Sequence, residues 1–168
     1  MRVLNAIFIL IFFFASESII FSQVCKNFNQ SAFCIIPESY DYNQYEKSRS
    51  SYVLIRKINK YEIVLNDNCD YKISFCTPQD YDPIQFRIIE KESEKEVYDN
   101  SIENNVNYVG FSVDGKPLTI LIEVVVLAIK HKPKNNIDIG TCLGIKIVYK
   151  KLTKTDNQDN SGSNGFSK

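Results

Sequence analysis

Apolar and polar residues alternate along much of the chain from residue 51 onward. Side chains of a β-strand point to opposite faces in turn, so a period of two predicts half-buried strands. The segments with this alternation are 61–65, 71–76, 84–88, 109–113 and 145–147. The stretch from Leu118 to Ile129 differs, because it is almost continuously apolar and rich in β-branched residues. That composition predicts a strand covered on both faces.

Turn-forming residues separate these segments. Asp114-Gly115 between two apolar runs predicts a β-hairpin, and the alternating charges of 90–96 predict an exposed hairpin connection. About eight strands with one candidate helix predict an all-β fold, an antiparallel two-sheet β-sandwich or jelly roll.

The strand pattern defines a β-sandwich domain over residues 51–152. Before it, residues 23–50 form an N-terminal arm, polar and tyrosine-rich, for which a short helix and an irregular segment both fit. After it, residues 153–168 are almost without apolar side chains, which predicts a flexible, disordered tail because too little surface can be buried to order it.

Residues 1–22 have the features of a secretory signal peptide. Arg2 precedes an apolar run over residues 3–15, and small residues follow. We expect cleavage after Ser18 or Ser22, and Ser22 is favoured because it leaves Gln23 first. The run is shorter than the ~20 residues that span a bilayer, so no permanent membrane span is predicted. The sequence therefore predicts a secreted or periplasmic protein.

In an exported chain, cysteines are expected to form structural disulfides. All five lie beyond the signal segment, where they are disulfide candidates before they are metal ligands. An odd number leaves one thiol over, and connectivity cannot be deduced from sequence alone. The ends of two strand segments favour a Cys76–Cys142 bridge, with Cys25–Cys34 as second choice, and this leaves Cys69 free.

Charge and residue content exclude several functions. Lys plus Arg number 20 and Asp plus Glu number 20, so there is no cationic excess to attract nucleic acid. The single histidine, His131, cannot complete a zinc site with cysteines at these spacings. No nucleophile elbow, phosphate loop or dinucleotide motif is present. We therefore predict no catalytic residue, no metal and no cofactor.

Three acidic positions have alternative interpretations. Asp80 and Asp82 could bind calcium or act as an acid–base pair, but a solvated turn is favoured. The oxygen-rich corner from Asn66 to Asp70 is likewise interpreted as a turn. Glu123 interrupts the long apolar run and is expected to be a partly exposed cross-strand partner of a lysine.

The tyrosines offer the candidate ligand contacts. Tyr40, Tyr42, Tyr45 and Tyr52 cluster near the start of the mature chain, and exposed aromatic rings on a β-sandwich can stack on sugars or anchor a protein partner. Of these, Tyr40, Tyr42 and Tyr45 are the predicted ligand contacts. Packing within the fold is the competing explanation for the same residues.

The order of the strand motifs resembles small exported proteins of uncharacterised function from Bacteroidota-type bacteria, and also jelly-roll accessory domains. The motifs concerned are Phe21-Ser22-Gln23, Tyr71 to Cys76, Phe86 to Ile89, Val97 to Asn100, Leu118 to Val125 and Cys142 to Ile147. The resemblance covers roughly residues 50–152. It implies a β-sandwich, an extracytoplasmic location and a Cys76–Cys142 bridge, and it implies no activity.

The leading hypothesis is a secreted, non-enzymatic β-sandwich that serves as a binding or structural module, with a protein or glycan partner in the periplasm or at the cell surface. One alternative is a carbohydrate-binding or adhesin-like module that uses the tyrosines. Another is a small secreted hydrolase with paired carboxylates.

Overall fold

The structure is a computed structural model, and it describes residues 25–78, 83–127, 140–153 and 166–167. The predicted signal segment 1–22, Asp80, Asp82 and His131 lie outside the described residues. So does the predicted tail, except for Thr153 and a two-residue strand. The strands are β1 (Asn43–Gln44), β2 (Arg49–Leu54), β3 (Asn59–Leu65), β4 (Cys69–Cys76), β5 (Ile84–Glu90), β6 (Lys95–Asp99), β7 (Tyr108–Val113), β8 (Leu118–Val126), β9 (Gly140–Lys151) and β10 (Phe166–Ser167).

The strands form two antiparallel sheets. In the first sheet, β1 and β2 pair one after the other with the same edge of β9, and β4, β7 and β10 follow on its other side. The second sheet has the order β3-β8-β5-β6. The two sheets pack face to face, so the predicted β-sandwich is confirmed.

Pairing among the eight longer strands is nested. β2 pairs with β9, β3 with β8, β4 with β7, and β5 with β6. The chain therefore resembles one long hairpin folded over on itself. Its successive strand pairs, from the outermost to the innermost, lie in the first and the second sheet in turn. This is the jelly-roll arrangement, in which distant strands rather than successive ones become neighbours.

The core consists of the side chains that the two-residue period points inward. It includes Tyr71, Ile73 and Phe75 of β4, all at most 1% exposed, which belong to the same buried cluster as Ile63 and Ile122 of the second sheet. Each buried branched or aromatic side chain of this size contributes about 1.5–3 kcal/mol. The alternating segments of the sequence are thus the strands that form the core.

The apolar run of β8 is buried mainly on one side. Ile120, Ile122 and Val124 are fully buried in the core, whereas Leu121 and Val125 on the other face stay partly exposed. The prediction of a strand covered on both faces therefore holds for one face only, since Leu121 and Val125 on the outer face are only partly covered.

One of the two predicted hairpins is wrong. The charged segment does join β5 to β6 as a hairpin. Asp114-Gly115, in contrast, connects β7 in the first sheet to β8 in the second. The dipeptide does form a tight turn, with Gly115 at φ +79°. The strands on either side of it nevertheless find their partners elsewhere, because a local turn motif carries no information on long-range pairing.

A buried asparagine ties the β5 strand to the connection that follows β6. Asn100 is 0% exposed and starts a short 3₁₀ turn, Asn100–Glu103. Its Oδ1 accepts from the Phe86 backbone N–H at 2.8 Å, and its Nδ2 donates to the carbonyls of Ile84 and Val106 at 2.9 and 3.1 Å. The side chain therefore satisfies three backbone groups that would otherwise be buried without partners.

Helical structure in the described ranges is limited to 3₁₀ turns, of which the other spans Phe28–Gln30. None of the described residues belongs to a helix with the length and hydropathy needed to cross a membrane.

Candidate functional site

Residues 25–42, the part of the predicted N-terminal arm that precedes β1, cross the outer face of the first sheet. From here on, this shorter segment is called the arm. Its partners are the outward-facing side chains of β4, which stand at every second position of that strand because of the strand period. Since β4 is the central strand of its sheet and is buried on its inner face, the arm gives it cover on both faces.

Two disulfides attach the arm to neighbouring strands. Cys25 is bonded to Cys142 on β9, and Cys34 to Cys76 on β4, with Cα–Cα distances of 5.3 and 5.1 Å. These distances fall within the usual range for a bridge. Cys69 faces the core as a buried free thiol.

The predicted pairing, Cys76–Cys142 with Cys25–Cys34, is therefore wrong, although the same four cysteines are bonded. Cys76 lies opposite Gly144 in the β4–β9 register, which makes Cys142 its diagonal neighbour on the same face. Diagonal side chains on adjacent strands stand about 7–8 Å apart, too far for a bridge. Each sulfur bonds instead to the arm that passes over it.

Hydrogen bonds continue the attachment along β4. The Ser74 hydroxyl donates to the Ile35 carbonyl at 3.1 Å, and the Lys72 ammonium donates to the carbonyls of Pro37 and Glu38 at 3.2 and 2.8 Å. Cys76, Ser74, Lys72 and finally Asp70 thus bind successive parts of the arm, which runs antiparallel to β4.

The last of these contacts is a tyrosine–carboxylate pair. The Tyr42 hydroxyl donates to Asp70, whose second oxygen accepts from Ser112 on β7 at 3.0 Å. The ammonium of Lys72 lies 5.0 Å from the centre of the Tyr42 ring. Burial, together with the neighbouring carboxylate, raises the pKa of Tyr42 well above its ordinary value, so the phenol remains a donor into the alkaline range.

Further contacts fix the beginning of the arm on β2 and β9. The backbone N–H of Asn29 donates to Ser50 Oγ at 2.8 Å, and the Ser50 hydroxyl donates to Asn29 Oδ1 at 2.7 Å. Lys146 donates to the Cys34 carbonyl at 3.2 Å. Polar contacts and bridges therefore hold the arm, with few buried apolar side chains, of which Ile36 is one.

The exposed aromatic rings of the described residues share this side of the molecule. Phe33 and Tyr40 project from the arm, and Tyr52 and Tyr108 stand on the outer faces of β2 and β7, on the two flanks of the arm. We call the surface formed by these four side chains the arm face. Tyr108 lies opposite Ser74 in the strand register, which places it beside the arm at Ile35.

The three tyrosines predicted as ligand contacts do not come together. Tyr40 is fully exposed, whereas Tyr42 is bound to Asp70. Tyr45 is 6% exposed, packs edge-on against Tyr71 and Tyr149, and donates its hydroxyl to the Val64 carbonyl at 2.8 Å. Tyr45 is therefore a core residue. Tyr52, a member of the predicted tyrosine cluster, and Tyr108, which the sequence reasoning did not select, join Tyr40 on the surface.

The opposite face of the sandwich is charged. Glu123 of β8 is only 6% exposed and bonds to Lys60 at 2.7 Å and to Arg87 at 2.6 Å, one residue from each neighbouring strand. The predicted cross-strand lysine is confirmed, but the carboxylate is more buried than expected because Arg87 covers it too. The hydrogen bond from Lys60 lowers the pKa of Glu123, and Arg87 acts in the same direction.

A cleft lies at one end of the sandwich. It has a volume of about 580 Å³. Its lining consists of Gln44, Tyr45, Glu46, Lys47, Val64, Asn66 and Tyr149. The Tyr45 hydroxyl is already occupied, and Glu46 and Lys47 form an exposed ion pair at 2.9 Å. The cleft therefore has a polar lining, but its two charged side chains are exposed and already paired with each other.

The predicted turn at Asn66 to Asp70 bends between β3 and β4. Asn68 takes a left-handed conformation at φ +52°, and its amide donates to Asp67 at 2.8 Å. Across the described ranges, no group of three or more His, Cys, Asp or Glu side chains is arranged to hold a metal ion.

Comparisons of the chain with protein-family models, with curated proteins and with solved structures found no match.

Proposed function

We propose that this chain is an extracytoplasmic, non-enzymatic binding module, and that the arm face is its contact surface. The observation that carries the proposal is that the four exposed aromatic rings all lie on the side of the sandwich that the arm crosses, while the opposite side carries the Glu123 ion pairs. Aromatic side chains dominate binding energy at interfaces because they bury a large area with few rotatable bonds.

The disulfides support the extracytoplasmic location. Such bonds persist in oxidising compartments and are rare in the cytosol. The arm depends on them because few of its apolar side chains are buried, and the arm in turn presents Phe33 and Tyr40. An oxidising location therefore keeps the proposed binding surface ordered.

The proposed partner is a protein of the cell envelope or cell surface. The test uses the mature chain to recover crosslinked partners from an envelope fraction. We expect recovery to fall at least about ten-fold for the double variant Tyr40→Ala, Tyr108→Ala, since each interface hot spot contributes about 2 kcal/mol or more. The control variant is Val64→Ala, which removes an exposed apolar side chain of β3. Equal recovery by all three proteins would contradict the proposal.

A carbohydrate ligand is the second candidate, and Tyr52 favours it. Its ring covers Gly140, where a Cβ would collide with it, so glycine supports an aromatic ring that is 39% exposed. Binding on a glycan array that is lost in Tyr52→Ala but kept in Val64→Ala would support this candidate, whereas no binding by the parent protein would count against it.

The non-enzymatic part of the proposal has its own test. Purified mature protein should leave a panel of glycans and peptides intact. Hydrolysis that disappears in Asp80→Ala or Asp82→Ala would refute it and would favour a hydrolase with paired carboxylates.

A further inference from the structure

Strand β7 has a second edge that the sandwich itself leaves open. One edge pairs with β4 from Cys69 to Ser74. Among the described residues, the other edge meets only two C-terminal positions, with Phe166 opposite Phe111 and Ser167 opposite Gly110. An open strand edge presents unpaired backbone donors and acceptors, and any extended segment can pair with them.

The position of the last long strand makes this pairing easy within one molecule. β9 ends at Lys151, which lies opposite Cys69, and Cys69 in turn lies opposite Val113 of β7. The open edge of β7 is therefore about three strand spacings, or roughly 14 Å, from the end of β9. Residues 152–165 could span roughly 46 Å when extended, so they reach this edge easily.

An apolar crevice lies beside β7, between the edges of the two sheets. Its volume is about 240 Å³, and Val97, Phe111, Val113, Pro117 and Leu118 supply its apolar lining. Phe111 faces the core, and antiparallel partners lie on the same face of a sheet, so the register places position 166 on the inward face. Within residues 160–168, the only large apolar residue falls at that position.

We propose that the free edge of β7 is a strand-addition site whose occupant is the chain's own C-terminal segment, residues 160–168. Backbone pairing supplies the affinity, and the apolar residue at position 166 sets the register. The segment covers the edge and keeps it from pairing with other chains. This inference is independent of the arm face, which lies on the outer surface of the same sheet.

Hydrogen exchange tests the proposal on the full chain and on a variant that ends at Thr153. We expect amide protection within residues 108–113 to fall at least about ten-fold in the shortened chain, with β5 unchanged as the control for folding. Adding a synthetic peptide of residues 160–168 should restore protection. A peptide with serine in place of Phe166 should restore much less.

Three results would overturn the inference: unchanged exchange in β7, an equal rise in β5, or no rescue by the peptide. A concentration-dependent dimer of the shortened chain that the peptide dissociates would support it, because an uncovered edge pairs with another copy. If the shortened chain does not fold, the full-length variant Ser167→Pro replaces it. Proline removes a backbone donor from the segment, so the expected loss of protection is the same.

Discussion

The sulfur of Cys34 lies against the backbone of Gly144 on β9. A Cβ built on that glycine would stand 2.7 Å from Cys34 Sγ, 2.5 Å from Cys76 Sγ and 3.0 Å from the Cα of Asn29. All three distances are shorter than van der Waals contact. The absence of a side chain at position 144 therefore allows the arm and its bridge to lie flat on the sheet.

Gly144→Ala should destabilise the protein by about 1–3 kcal/mol, the usual penalty for overpacking a site that cannot yield. Alkylation should also detect free Cys34 and Cys76 thiols in the variant. Gly110→Ala is the matched control, since its Cβ would come no closer than 3.7 Å to any atom of its surroundings. Equal unfolding midpoints for the two variants would contradict this account of Gly144.

Non-reducing peptide mapping should recover Cys25 linked to Cys142, Cys34 linked to Cys76, and Cys69 as a thiol. The bridges span sequence separations of 117 and 42 residues. Loop-closure entropy then predicts that removing the first destabilises the protein by about 5 kcal/mol and the second by about 4 kcal/mol. Recovery of a Cys76–Cys142 peptide from native protein would refute the arrangement.

Tyr42→Phe should loosen the end of the arm without unfolding the sandwich. The variant loses the hydrogen bond to Asp70, a charge-assisted contact that contributes about 1.5–3 kcal/mol. Hydrogen exchange should speed up in residues 37–42 and stay unchanged in β8. Tyr40→Phe provides the comparison, because Tyr40 is fully exposed and no loss is expected.

Glu123→Gln should weaken the protein at pH 7 by about 1–3 kcal/mol, because the carboxylate is buried between two cations. The folded state lowers the pKa of Glu123 below its ordinary value of 4.5. Its contribution is therefore complete above pH 4.5 and is lost as the pH falls through the lower folded value.

The difference in unfolding free energy between the parent and Glu123→Gln should accordingly shrink from pH 7 toward strong acid. Glu62→Gln is the exposed control, since the Glu62–Lys91 pair is about half exposed at both ends and should contribute less than about 1 kcal/mol. A difference for Glu123→Gln that stays constant with pH would show that ionisation of this carboxyl does not stabilise the fold.

Asn100→Ala should be among the most damaging single substitutions outside the apolar core. It leaves the Phe86 N–H and the carbonyls of Ile84 and Val106 buried without their partners. We expect a loss of about 3 kcal/mol or more, measured by denaturant unfolding, because each unsatisfied buried group carries a penalty of about 1–3 kcal/mol. A loss below 1 kcal/mol would mean that water replaces the side chain.

The strands could be predicted from sequence because their signal is local. Tyr71, Ile73 and Phe75 alternate with polar residues, and a sandwich core needs that alternation whatever the order of its strands. For the nested strand order, the sequence could predict only the class of fold, a sandwich or jelly roll, and not which strands pair. It depends on contacts such as Tyr52 with Cys142, between residues that local patterns cannot connect.

The arm was beyond sequence reasoning for a related physical reason. Pairing of Cys34 with Cys76 depends on where an irregular segment crosses a sheet, and no periodicity encodes that path. One signal was present: Asp70, Lys72 and Ser74 place hydrogen-bonding groups on the outer face of a strand whose other face is apolar. The burial of Tyr45 had no local signal, since its neighbours Glu46 and Lys47 are exposed.

The two bridges of the arm end on different strands, Cys142 on β9 and Cys76 on β4, so both depend on how these strands are placed. Cys76 and Cys142 come to lie side by side only after β9 has paired with β4, which joins distant parts of the chain. A bond between Cys25 and Cys34 needs no such event, and it would leave the arm tied to itself. The native connectivity therefore needs β9 and β4 to lie side by side, because only then does one path of the arm pass over both Cys142 and Cys76.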